Sequence, residues 1–205
     1  VTGLIAFSFA QILMGSEQLF KAVFGTPVAL VLMLSPLIYI MFGFTGKRIA
    51  RFSAAKLQML FYGFATLMGL SMSSIFIVYS AESIARVFFI TAGMFAATSI
   101  YGYTTKRDLA GMGSFLFMGV IGLLIAIVVN WFMQSSMLHF LISVVGVIVF
   151  TGLTAWDTQR IKELYTQLDG SEIAGKKALM GALSLYLNFI NMFVMLMQLF
   201  GTQRD

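Results

Sequence analysis

Seven apolar runs, separated by polar segments, constrain this chain more than any other feature. They cover residues 1–15, 27–44, 57–79, 84–103, 112–132, 138–156 and 179–200 of the 205. A hydrocarbon core of about 30 Å takes about 20 helical residues to cross, with a working range of roughly 17–25. Every run but the first reaches that length. The chain opens at Val1 without an initiator Met and is apolar from the outset. The first run is therefore expected to be a first helix truncated at its N-terminus. It lacks the basic leader and small-residue cleavage site of a signal peptide.

Apolar residues make up 60% of the chain and charged residues 10%, with a mean hydropathy of +0.94. Soluble domains carry roughly 45–50% and about 25%. One soluble core could not hide this much apolar surface, so its solvent is lipid. Period-2 alternation is missing, which excludes a membrane β-barrel. No internal repeat or Pro/Gly-rich linker divides the sequence. The expected fold is an all-α integral membrane protein, a bundle of seven transmembrane helices in one domain, 1–205.

The net charge of +5 sits in the short segments between apolar runs. That placement speaks for membrane orientation and against a nucleic-acid partner. Lys47, Arg48, Arg51, Lys56, Lys106, Arg107, Arg160, Lys162, Lys176 and Lys177 fall on one side, against Lys21, Arg86 and Arg204 on the other. Positive-inside asymmetry makes the first side cytoplasmic and sets the C-terminus outside. The chain has no cysteine, hence no disulfide and no thiolate metal site.

Two polar residues interrupt the runs most conspicuously. Asp157 closes the run 138–156 and opens a very polar segment, and Asn188 lies inside 179–200. A carboxylate at the edge of a membrane core is costly and persists where something partners or uses it. Around Asn188 a stripe of Gly181, Ser184, Asn188, Asn191, Met195 and Gln198 recurs at helical spacing on one face. It reads either as interhelical packing or as the wall of an ion or proton pathway, with Ser184 and Asn191 as pore-lining candidates. Gly93 with Ala97, Ala92 with Ala96 and Gly122 with Ala126 read as close-packing positions.

His139, the sole histidine, lies four residues before Ser143. Neighbours on one helix at a membrane edge make a poor nucleophile and base, so an interfacial histidine is expected. One histidine without cysteine also excludes a typical zinc site, and no phosphate-binding glycine loop is present. An enzyme is not expected.

Three ordered segments, SIYGYTTKRD at 99–108, LTAWDTQRIK at 153–162 and ALSLYLNFIN at 182–191, resemble the Bax inhibitor-1 family, also called the transmembrane Bax-inhibitor-motif family. The likeness covers essentially the whole chain. It implies a bacterial member with a central helix wrapped by six others and a pH-dependent calcium or cation leak. In such relatives two aspartates of the sixth and seventh helices share a proton, and a basic residue after the second helix latches onto them. Some bacterial relatives instead restrain a membrane-bound protease.

Carried over by position, the first aspartate is Asp157 and the second falls on Asn188, a departure from the pattern. The latch falls on Arg51, ahead of Lys47 and Arg48. An acidic residue that some relatives carry in the second helix is also missing, since 27–44 contains no Asp or Glu. An amide in place of a carboxylate removes like-charge repulsion, and its N–H₂ can bond ionised Asp157. Arg51 favours the same charged form, while burial opposes it. Proton sensing is therefore expected to be weaker, or shifted to more acidic pH. Asp157 and Asn188 remain weak Ca²⁺ candidates, because calcium prefers several oxygens including carboxylates.

A second reading is a non-conducting regulator that binds a partner such as a protease through residues 157–177. That stretch is long for a connection within a helical bundle, where roughly 2–8 residues is usual. Its mixed charge (Arg160, Lys162, Glu163, Asp169, Glu172, Lys176, Lys177) equally suits a helical extension into water.

Overall fold

A backbone in lipid must satisfy its own N–H and C=O groups, which is why each apolar run becomes helical. The computed structural model describes residues 1–164 and 170–204, with Ala50 described by its backbone alone. The described residues form ten helices, in two compact units.

The first unit, Val1–Ala81 with Thr202–Asp205, holds α1 (Thr2–Met14), α2 (Glu17–Phe24), α3 (Val28–Gly43), α4 (Gly46–Arg51), α5 (Ala54–Ser71) and α6 (Ser73–Val78). α1 and α3 pack on α5. A Cβ added at Gly69 of α5 would lie 2.8 Å from the Thr2 carbonyl and 2.9 Å from Ile5, so only a bare backbone allows α1 this close. α5 and α6 make one span of 25 residues broken at Met72. α2 and α3 meet at a bend of 63°. The second apolar run is therefore the longer arm of a bent pair rather than a straight span. Pro36 in α3 lacks the N–H that would reach Leu32 four residues back, and the Ser35 hydroxyl donates to that carbonyl at 2.8 Å instead.

The second unit, Glu82–Gly201, is built from α7 (Ala81–Thr104), α8 (Ala110–Met133), α9 (Ser136–Leu164) and α10 (Ser171–Phe200). α9 packs most extensively, against both α8 and α10. The spans of α9 and α10 are 39% buried and that of α8 only 17%, which makes the first two the inner pair. α7 is held to α10 by Phe88 and Phe95, both edge-on to Phe189 at 5.7 and 5.5 Å.

Among the described residues five spans are long and apolar enough to cross a membrane, six if the bent pair counts as one, and α1 with 13 residues is apolar but shorter. All seven runs are helical, and the expected all-α membrane fold holds. One expectation needs correction. Gly93 and Gly122 are exposed, and nothing lies within 4 Å of a Cβ built on either. The close approaches fall at Gly102 on the Ala155 backbone, Gly113 under the Trp156 ring, and Gly152 against Leu116. The polar stretch after Asp157 carries the helical extension its mixed charge suits, as far as its residues are described: α9 runs on to Leu164 and α10 begins at Ser171. Glu172 pairs with Lys176 at 3.1 Å, and Lys177 donates to the Leu164 carbonyl at 3.0 Å, capping the end of α9. Asp169 lies outside the described residues.

Candidate functional site

The polar stripe on α10 turns toward α9 and forms an antiparallel seam. Gly181 admits Ile161, Asn188 meets Asp157, Met195 lies on Gly146, and Gln198 takes the Ser143 hydroxyl at 2.7 Å. Small residues alternate with amides here because the backbones approach closely and the polar groups bond across the gap.

Asp157 and Asn188 lie within this seam, 7% and 5% exposed. Asn188 Nδ2 donates to Asp157 Oδ2 at 2.8 Å. A buried carboxylate without a donor would carry the full penalty of lost hydration, so this bond ties the two helices at one point. Nearby Thr154 and Thr158 satisfy their hydroxyls on their own helix, at Phe150 and Thr154 carbonyls 2.8 and 2.7 Å away. The positive charge acting on Asp157 within this unit is Arg160, one turn on, whose guanidinium stacks 5.3 Å over Trp156.

Two residues on, Gln159 is buried and uses both ends of its amide. Its Oε1 accepts from Leu109 N at 2.8 Å, and its Nε2 donates to the Arg107 carbonyl at 2.7 Å. The turn between α7 and α8 has no helical partner for these backbone groups, and Gln159 supplies them. Lys162 adds a bond to the Tyr103 carbonyl at 2.8 Å and sits 4.7 Å above that ring. Residues 99–108 and 153–162, far apart in sequence, thus form one assembly with 182–191.

A model of the family described as "Inhibitor of apoptosis-promoting Bax1" matches residues 1–205. The chain belongs to the Bax inhibitor-1 family. It is 51% identical over 158 residues to the inner membrane protein YbhL of Escherichia coli K12, covering 76% of this chain and 68% of YbhL. It is 44% identical over 189 residues to protein RP147 of Rickettsia prowazekii, covering 92% and 79% of the two chains. A Caulobacter vibrioides protein aligns over 212 residues at 40% identity, covering 100% of this chain and 84% of its own length.

In this Bax inhibitor-1 chain the carried-over pair, Asp157 and Asn188, is in direct contact. Arg51 belongs to the other unit, where it is the exposed last residue of α4. On the same helix Arg48 donates to the Phe42 carbonyl at 2.7 Å. Of the two pore-lining candidates, Asn191 gives its Nδ2 to Leu187 of its own helix at 2.9 Å, and Ser184 is half-buried. The Ser143 hydroxyl lies against Gln198 Oε1 and the His139 carbonyl. Among the described residues no three of His, Asp and Glu come close enough to hold a metal.

Sequence reasoning missed Gln159, Arg160 and Gly102. The first two stand beside Asp157 in the same motif, where an amide at the end of a span signals backbone groups in need of partners.

Proposed function

We propose that this chain provides a slow calcium or cation leak across a bacterial inner membrane, gated at the Asp157–Asn188 pair. The observation that carries the reading is the buried hydrogen bond at 2.8 Å from Asn188 to Asp157, which joins the inner helices at the one acid in that seam among the described residues. An intramembrane ionisable residue facing a bundle interior marks an ion or proton route by default. Family membership and the likeness to YbhL support the membrane assignment, and the ten-to-three basic asymmetry supports cytoplasmic basic loops. The latch role of Arg51 and pore-lining by Ser184 and Asn191 remain parts of the proposal.

Calcium acts here as passing cargo. Asp157 and Asn188 offer three side-chain oxygens, well short of the roughly 6–8 that a resident Ca²⁺ takes. With a single carboxylate, proton sensing is weaker than in a two-aspartate relative. Asn188→Asp would set two carboxylates at hydrogen-bond distance, where they share a proton and titrate as a pair.

Flux of Ca²⁺ into liposomes loaded with an indicator, measured on purified protein across pH, tests the reading. Asn188→Asp is expected to steepen the pH dependence, and Asp157→Asn to abolish it. Equal flux in all three proteins at every pH overturns the proposal. The protease-regulator reading gains instead if no flux is seen and a partner co-purifying from native membrane is lost on deleting residues 163–175.

A further inference from the structure

At the end of the second unit remote from Asp157 lies a cavity of about 310 Å³. Ile127, Ile142 and Met195 form its apolar wall, and Asn130, Trp131, His139 and Gln198 its polar rim. Asn130 is three residues from the end of α8, His139 three from the start of α9, and Gln198 two from the end of α10. From His139 to Asp157 is about 27 Å of helix, close to the thickness of a hydrocarbon core. The cavity therefore sits at the opposite headgroup level, where tryptophan and histidine are at home.

The hydrogen bonds already made at the rim determine what it has left to offer. Asn130 Oδ1 accepts from Ser135 N at 3.0 Å, and Gln198 Oε1 accepts from the Ser143 hydroxyl at 2.7 Å. Both amides thus have their acceptor ends engaged and retain their N–H₂ donors. Trp131 adds an indole N–H and His139 an imidazole N–H, and no carboxylate lines the space. Donors gathered above an apolar wall fit an amphiphile rich in acceptors. In a bilayer, at this level, that ligand is the phosphodiester and glycerol-ester region of a phospholipid. Ile127 and Trp131 are exposed, which leaves a route for acyl chains onto the outer face of α8.

We propose that the cavity at the α8–α9 turn seats one phospholipid, with its phosphate–glycerol region taking the N–H donors of Asn130, Trp131, His139 and Gln198. The test uses the full chain in dodecylmaltoside micelles, incubated with dioctanoyl phosphatidylglycerol and examined by native mass spectrometry. The parent should retain one lipid per chain. Gln198→Ala combined with His139→Ala should weaken retention at least tenfold. Ile127→Trp, which fills the cavity from an exposed position without touching its hydrogen bonds, should abolish retention while leaving thermal unfolding unchanged. That variant keeps the test decisive should the double variant misfold. Undiminished lipid retention in Ile127→Trp overturns the proposal. So does displacement of the lipid by equimolar inorganic phosphate, because the rim would then read a free anion.

Discussion

The two ends of α9 handle polar groups in opposite ways. Around Asp157 the chemistry is closed at most groups: Gln159 uses both ends of its amide, Lys162 and both threonines bond to backbone carbonyls, and the carboxylate takes Asn188 at one oxygen. Around His139 it is half open, because Asn130 and Gln198 each use one end of an amide on the protein and keep the other. A group that is fully partnered inside a membrane fixes geometry, since every alternative leaves something buried and unpaired. A group left with a spare donor at the headgroup level is suited to bind. The closed end should therefore be stiff and costly to disturb, and the open end soft.

The largest effect is expected where backbones touch. A Cβ at Gly102 runs into the Ala155 backbone, which cannot move aside as a flexible side chain could. Gly102→Val should destabilise the protein by about 3 kcal/mol, at the upper end for overpacking, read as a lowered midpoint of thermal unfolding in detergent. Gln159→Leu comes next at about 2 kcal/mol, because it orphans the buried Leu109 N–H. Gln159→Glu keeps that acceptor but loses the donor to Arg107, and should fall between the two. A Gln159→Leu protein as stable as the parent would break the view of this end as closed.

Asn188→Leu follows, with a loss of about 1.5 kcal/mol from leaving Asp157 without its amide donor. The double variant Asp157→Leu, Asn188→Leu should recover most of that loss, since removing both partners of a buried pair is often nearly neutral. A double variant less stable than Asn188→Leu would mean that Asp157 has structural partners beyond Asn188.

The contrast also explains what could be read from the linear chain. Apolar run length reports span existence well, because lipid forces helices on any such run. The seam was legible at Gly181, Asn188 and Gln198 because one helical period aligns them. Gly102, Gly113 and Gly152 escaped because a close approach depends on what the facing helix presents, which no spacing within one run encodes. Gly93 and Gly122 show the converse, carrying the small-residue spacing with nothing opposite. The bend between α2 and α3 was hidden as well, since 27–44 is long enough to pass for a straight span. Asp157 with Asn188 could be paired only through family likeness, and Gln159 only by knowing which loop lies beneath it.

The smallest effect is expected at the open end, and it sharpens the comparison most. Ser143 is fully buried, so by burial alone Ser143→Ala would resemble the loss at Gln159. Its partner Gln198, however, is exposed. The freed carboxamide can turn to water or lipid headgroups, so no orphaned group stays behind. The change should cost about 0.6 kcal/mol, the usual size of an interhelical side-chain bond in a membrane. Its clearer sign should be weaker phospholipid retention, because an amide no longer pinned by Ser143 points its N–H₂ into the cavity only part of the time. A destabilisation as large as that of Gln159→Leu, with lipid retention unchanged, would make both ends of α9 structural and end the distinction between them.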